Sequence, residues 1–463
     1  MSHTLGFYGA AQTVTGSKHL LTTSGKKILI DCGLFQGGRA LRERNWEPFG
    51  FDPTEIDAVI VTHAHIDHIG LLPKLIRDGF KGPIYATPGT IGISRFSLPD
   101  SGRLQEEEAK YHNKHLTSSH QPALPLYTEA DAFEVLKLMR PVHYFEETAA
   151  PGGCRFEFIP AGHILGSAYA KITLASGETL LMGGDLGRFD TPIIRDPEMV
   201  SGADFLVVES TYGDRFHAQE DTIGRLREIM TRAVREHMVV LIPSFSIGRT
   251  QELLYFINEL QREGSLPKLP IYLDSPMAVS ATELYAKTTE DQDRDMKIRL
   301  DEGDDPMSPD GLVLVRDKNQ SKAINSMNGP MMVIAGSGMA NGGRIVHHLK
   351  NRLGKENTLV LFTGYQGEGT LGRELLEGSP TVSIHGQDIE VRAQVDKLNS
   401  LSAHADQGEI MNWLRGFQTP PKMTFIVHGE PPAQEVLAEK IRTELGWEVI
   451  IPSHGQTVNL LRH

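Results

Sequence analysis

Short apolar runs bounded by turn residues dominate the first 210 positions of this chain. "LTTSGKKILIDCG", "IDAVIVTH", "GPIYATP", "CRFEFIPAGH", "AYAKITLASGETLLMGGD" and "DFLVVEST" each stop at a turn or a polar cluster. Such runs predict strands, and the Ser-Gly pairs in "SGKK" and "SGET" predict hairpin turns. Residues 102–115 and 129–140 read as flanking helices. This is a mixed sheet with helices, not a regular alternation. The pattern changes near residue 217. "TIGRLREIMTRAVREH" leads into "MVVLIPS", "GRTQELLYFINELQRE" into "IYLD", and "MANGGRIVHHLKNRL" into "TLVLFTG". Helical stretches alternating with buried strands predict a parallel, doubly wound sheet. Short strands return in "VSIHGQDIEVRAQVDKL" and "MTFIVHG". Three segments follow: a first domain over 1–210, an inserted α/β domain over 211–375, and a return to the first domain over 376–463.

Bulk properties narrow the class. A length of 463 residues exceeds one ordinary core. No apolar run approaches the roughly 18 residues of a membrane span, so no membrane partner is expected. The start "MSHTLGFYGAAQTV" lacks the basic and apolar regions of a signal peptide. Only two cysteines, Cys32 and Cys154, occur, which suits a reducing, cytoplasmic setting. Net charge is −13, which by itself counts against nucleic-acid binding. Its distribution matters more: residues 331–355 carry four basic residues and no acidic one, a surface that could receive an anion.

The candidate chemistry begins at residues 62–68, "THAHIDH". Imidazole and carboxylate are zinc ligands. His63 and His65 lie two apart at a strand end and can point to one side. Asp67 and His68 follow in the turn and can serve a second position. Further candidates stand where apolar strands stop beside glycine: His163 in "IPAGHILGS", Asp185 in "LLMGGDLG" and His428 in "FIVHGE". In "LSAHAD", Ser402 is a local candidate for a helix cap. "VHHLK" places His347 and His348 side by side on a helix, facing different ways, so they read as surface or interface residues. His112, His115 and His120 fall in a polar loop and receive no role.

With "ILIDCG", "THAHIDH", "AGHILGS", "GGDLG", "VVEST", "LSAHAD" and "IVHGE" in hand, the chain resembles the metallo-β-lactamase superfamily over essentially its whole length. It looks specifically like the β-CASP branch, the RNA-processing nucleases related to the pre-mRNA 3′-end cleavage endonuclease. The resemblance implies an αββα sandwich with an inserted β-CASP domain of doubly wound parallel α/β type. It implies two zinc ions, with manganese as an alternative. His63, His65 and His163 would hold one ion; Asp67, His68 and His428 the other; Asp185 would bridge them. Asp31 would orient the "HAHIDH" turn, and Glu209 with His404 would form a pair beside the metals.

The resemblance further implies RNA hydrolysis by a hydroxide that two metals activate, leaving 5′-phosphate and 3′-hydroxyl ends, with His404 as general acid. His428 marks the RNA-processing groups of that branch. Single-stranded RNA is the expected substrate, and a homodimer is compatible with the family. The Gly-rich stretches "PSFSIGRTQEL" and "AGSGMANGGR" offer backbone N–H groups to a phosphate, with Ser244, Arg249, Ser337, Gly338 and Arg344 assisting. Two other readings stay open: a hydrolase of small esters or phosphodiesters on the same fold, and a nuclease subunit that needs partners. Internal cutting and 5′→3′ trimming are equally compatible with these motifs.

Overall fold

A computed structural model describes residues 3–115, 121–218, 220–364, 366–367, 369–398 and 401–460. His120 lies outside the described residues. The chain forms two compact units: Met1–Thr191, Asp196–Phe216 and His404–His463 make the first, and Pro192–Arg195 with His217–Ala403 the second.

The first unit holds two seven-stranded sheets. One runs in the order Gln456–Asn459, His3–Gly9, Lys18–Thr23, Lys26–Ile30, Ala58–Ile60, Ile84–Ala86, Met139–Pro141. The other runs Val449–Ile450, Met423–Ile426, Phe205–Val208, Thr179–Met182, Ala168–Thr173, Cys154–Pro160, Thr148–Ala150. Alternation along the strands explains how they stack. Leu5, Phe7, Ile28 and Ile30 from one sheet join Phe156, Phe158, Ile172, Leu180, Phe205 and Phe425 from the other in a single buried cluster. Each such side chain contributes roughly 1.5–3 kcal/mol relative to exposure. The alternate residues Leu181, Leu206, Val208 and Ile426 form another cluster with Trp413, Leu414, Leu437 and Ile441. Those partners lie on helices Gln407–Leu414 and Pro431–Leu445, which cover the outer face of the second sheet. Helices Leu72–Arg77, Pro88–His115 and Glu129–Leu138 pack together beside the first. The architecture is the expected α/β sandwich.

Details differ from the sequence reading for physical reasons. The helix expected at 102–115 starts at Pro88, because Pro88, Gly89, Pro99 and Gly102 hide its periodicity. His112 and His115 therefore end a helix and do not sit in a loop. The expected 129–140 helix stops at Leu138, where the backbone turns extended and joins the sheet edge. Asp406, not Ser402, caps helix Gln407–Leu414: its carboxylate accepts from the Glu409 N–H, and Glu409 returns the bond. The strand Gln456–Asn459 pairs antiparallel with His3–Gly9. Both cysteines are free and buried.

The second unit is built on a six-stranded, all-parallel sheet ordered Leu312–Leu314, Ile271–Leu273, Met331–Ala335, Val239–Pro243, Thr358–Phe362, Gln394–Lys397. Both faces are covered. Val239, Leu241, Val333 and Val360 are buried, and so are the alternates Val240, Ile242, Met332 and Leu359. Such strands read as unbroken apolar runs. The boundary expected at 376 is corrected to 404. Strand Gln394–Lys397 pairs with Thr358–Phe362 and extends this sheet. Val382 and Ile384 of the hairpin Thr381–Glu390 join the second unit's core.

Candidate metal centre

In the first unit, the polar residues of interest leave the sheets at strand ends. Asp31 follows Lys26–Ile30, and "THAHIDH" follows the parallel neighbour Ala58–Ile60. Asp185, Glu209 and His428 follow Thr179–Met182, Phe205–Val208 and Met423–Ile426, which run parallel to one another. His163 follows Cys154–Pro160. Parallel strands end at the same edge, so residues as far apart in sequence as Asp31 and His428 converge without any long loop. Gly33 is needed where the first loop meets the turn: a Cβ there would lie 1.5 Å from the Asp67 carbonyl oxygen.

The convergence is tight. His65 Nδ1 lies 3.2 Å from His63 Nε2 and 3.1 Å from His163 Nε2. Asp185 Oδ2 stands 3.3 Å from His63 Nε2 and 3.4 Å from His163 Nε2. Its other oxygen, Oδ1, stands 3.2 Å from His68 Nε2 and 3.5 Å from His428 Nε2. His68 Nε2 and His428 Nε2 are 3.2 Å apart, and Asp67 Oδ2 is 3.4 Å from the latter. Two donor sets of three result, His63–His65–His163 and Asp67–His68–His428; Asp185 gives one oxygen to each, and it also groups with Glu209 and His404.

Nitrogen atoms meeting nitrogen atoms at this distance cannot all be satisfied by hydrogen bonds. Asp185 Oδ1 is buried and has no hydrogen-bond partner. That donor set fits divalent cations. Electrostatics agree. Burial, then His68, holds His63 down at about 3, and burial holds His65 at about 4, so both present neutral lone pairs at pH 7. Burial would lower His68 too, but Asp185 and Asp31 outweigh it and raise the ring well above its ordinary value. Burial opposes the charge on Asp185, yet His428 and His68 hold its carboxyl well below the usual range. Against burial, Asp185 raises His428 too, so both rings favour the charge that a cation would replace, and metal binding releases protons from such ligands.

Supporting contacts fix the ligands. Asp31, in a left-handed conformation at φ 59°, accepts from His68 Nδ1 at 2.8 Å. It also accepts from the Thr62 N–H and Thr62 Oγ1, both at 2.8 Å. Thr62 was not singled out by sequence reasoning, although it stands directly before the first histidine. Partners of this kind set the tautomer and direction of a ligating imidazole. Asp31→Asn is expected to weaken metal affinity about 10–100-fold, checked by competition against a chromophoric chelator.

Glu209 accepts from the Leu186 N–H at 2.8 Å and from His404 Nδ1 at 3.0 Å. His404 Nδ1 is 4.0 Å from Asp185 Oδ2, so the pair borders the candidate metal ligands. Burial alone would depress His404, but the charge and hydrogen bond of Glu209 carry it to about 9.

The expected phosphate cradle lies wholly in the second unit and is only partly assembled. Strands Val239–Pro243 and Met331–Ala335 are neighbours whose following helices lead to opposite sides of the strand order, a topological switch point. Ser337 and Gly338 lie in the loop after Met331–Ala335. Ser244 is buried, and its Oγ engages Phe245 O and Thr250 Oγ1. Arg249 donates to the Thr363 carbonyl. Arg344 points inward: it donates to Asp274 at 2.6 Å and to the carbonyls of Val315 and Arg316. His348 is fully buried rather than on the surface, 2.7 Å from the same Asp274 carboxylate, which Ser321 Oγ also reaches. Arg352 is likewise buried against backbone carbonyls. Arg344 and Ser244 therefore act inside the fold here, and the basic stretch 331–355 is less available to an anion than its composition implied. Asp274→Ala would leave a guanidinium facing a void. It should lower the stability of the second unit by about 3–5 kcal/mol, read from urea unfolding of the full chain.

A sandwich of mixed sheets gathering five histidines and two carboxylates at its strand ends defines a metal-dependent hydrolase. Residues 16–159 match the metallo-beta-lactamase superfamily, 250–375 the Beta-Casp domain, and 388–452 the Zn-dependent metallo-hydrolase RNA specificity domain. The chain is 39% identical over 452 residues to ribonuclease TTHA0252 of Thermus thermophilus, covering 97% of this chain and 98% of that one. It is 31% identical over 473 residues to the transcription termination factor FttA of Pyrococcus abyssi, covering 98% and 70%. A crystal structure of a protein of unknown function from Enterococcus faecalis V583 shares the fold at TM-score 0.58 and 12% identity, covering 99% of this chain and 100% of that one. The chain belongs to the metallo-β-lactamase superfamily, in its β-CASP branch. No helix among the described residues is long and apolar enough to cross a membrane.

Proposed function

We propose that the chain is a zinc-dependent ribonuclease that hydrolyses phosphodiester bonds of single-stranded RNA and leaves 5′-phosphate and 3′-hydroxyl ends. The carrying observation is the complete donor set divided by Asp185, with His404 directly beside it. The likeness to a protein named a ribonuclease across nearly the whole of both chains supports the choice of RNA. Five imidazoles against two carboxylates favour zinc over manganese.

His63, His65 and His163 would hold one cation, Asp67, His68 and His428 the other, with Asp185 shared. Two cations there supply Lewis acidity, acidifying water and drawing charge from phosphoryl oxygens. The protein's own residues do the rest. Glu209 takes the Nδ1–H of His404 and keeps the ring charged. The Nε2–H would then protonate the 3′-oxygen as water oxygen bonds to phosphorus and the P–O3′ bond breaks. Proton donation at that atom leaves a 3′-hydroxyl and places the phosphate on the 5′ side of the next nucleotide. Asp31 and Thr62 hold the His68 ring for this geometry.

The test is end analysis of the products from a single-stranded RNA and its DNA counterpart. Fragments that a 5′-phosphate-dependent exonuclease degrades and a poly(A) polymerase extends are expected from RNA, and only without chelator. Fragments with cyclic phosphate ends would contradict the mechanism. Turnover of bis(p-nitrophenyl) phosphate or small esters with RNA left intact would favour the small-molecule hydrolase instead.

A further inference from the structure

The backbone at His428 is held in an uncommon state. Its φ is 51°, the left-handed region that residues with a Cβ rarely occupy. Two adjacent side chains from the neighbouring strand end hold it there. Ser210 Oγ donates to the Val427 carbonyl at 2.7 Å, and the Ser210 N–H donates to the His428 carbonyl at 3.2 Å. Thr211 Oγ1 donates to that same carbonyl at 3.2 Å and meets His428 Nδ1 at 3.0 Å. Gly429 lets the two strand ends approach, since a Cβ there would lie 2.2 Å from Ser210 Oγ.

The hydroxyl of Thr211 carries one proton. The hydroxyl could donate to Nδ1 or accept from it, but with a cation at Nε2 the ring keeps its proton on Nδ1, and the hydroxyl proton then goes to the His428 carbonyl, which can only accept. The contact with Nδ1 is then satisfied only if the ring nitrogen donates. This holds a proton on Nδ1, so Nε2 is the atom that gives up its proton to a cation. Nε2 is the atom that faces Asp67, His68 and Asp185. The same residue reaches the acid pair: the Thr211 N–H donates to Glu209 Oε2 at 3.3 Å. One threonine thus touches a candidate metal ligand with its side chain and the partner of His404 with its backbone.

We infer that Thr211 is a positioning residue that sets the tautomer and direction of His428 for the second cation and ties that ligand to Glu209. The inference rests on the metal-centre reading above and goes beyond it, since neither Ser210 nor Thr211 belongs to the donor set.

The experiment is a zinc titration of the metal-stripped full chain, with a chromophoric chelator as competitor, for the wild type, Thr211→Val and Thr211→Ser. Valine keeps the shape and the backbone N–H but removes the hydroxyl; serine restores it. The wild type should bind two zinc ions. Thr211→Val should weaken one of the two about 10–100-fold, as loss of a ligand's outer hydrogen bond does, and leave the other unchanged. Thr211→Ser should return to within about threefold of wild type. ¹⁵N-histidine spectra of the zinc-loaded proteins should show one Nδ1–H exchanging faster with water in the valine variant alone, because its acceptor is gone. Two-zinc binding by Thr211→Val indistinguishable from wild type would overturn the inference and leave the metal centre standing. Equal weakening in the serine and valine variants would overturn it too, because shape rather than the hydroxyl would then be at work. Failure of the wild type to bind zinc would bring down both readings together.

Discussion

Asp185→Asn is expected to reduce RNA cleavage by at least about 10³-fold, the equivalent of about 4 kcal/mol of transition-state stabilisation. The reason is geometric. Among the described residues, Asp185 is the only one whose two carboxylate oxygens reach both donor sets, Oδ2 toward His63 and His163 and Oδ1 toward His68 and His428. An amide has the same shape but offers one acceptor and no charge. The side chain is almost wholly buried, so water cannot replace the lost oxygen. Metal analysis should find the content falling from two ions per chain to one or none. Retained two-ion content with retained cleavage would show that the site does not depend on a shared carboxylate.

His404→Ala should behave differently. Cleavage is expected to fall about 10²–10⁴-fold, the range for a lost general acid, while both metal ions stay bound. His404 belongs to neither histidine donor set and pairs with Glu209 instead. Glu209→Gln supplies the pH test. In the wild type the ring keeps its proton up to about pH 9, because Glu209 outweighs the effect of burial. The acid role requires that proton, so activity should decline as pH rises through that value. Removing the Glu209 charge lowers the ring's affinity for its proton, and the alkaline limb should move toward lower pH. An unmoved limb in Glu209→Gln would assign the group to something other than His404. Leaving groups more acidic than a ribose 3′-hydroxyl should rescue His404→Ala in part, since they need no protonation.

Much of this site is legible in the sequence because its chemistry is locally concentrated. "THAHIDH" puts four candidate ligands in seven positions, and His163, Asp185 and His428 each follow an apolar strand and adjoin a glycine. The sandwich is legible as well, since the alternating strands declare which face is buried. What stayed hidden depends on contacts between distant residues. Strand Gln394–Lys397 is polar, half-exposed and at a sheet edge, so nothing local says which sheet it extends. Arg344 and His348 look like solvent-facing residues of an amphipathic helix. They turn inward only because Asp274, 70 and 74 positions earlier, is buried opposite them. Thr62 and Thr211 are common residue types, and only their hydrogen bonds to Asp31, His68 and His428 distinguish them. Ser244 carries a plausible motif, yet its hydroxyl is engaged within its own turn.

The most direct measurement is zinc add-back to metal-stripped protein, following cleavage of a 5′-labelled single-stranded RNA at each increment. Cleavage should be negligible at the start and rise to a plateau as two equivalents per chain are reached, with Asp185→Asn silent throughout. RNA left intact at two bound equivalents, or full cleavage before any zinc is added, would contradict a binuclear metal ribonuclease.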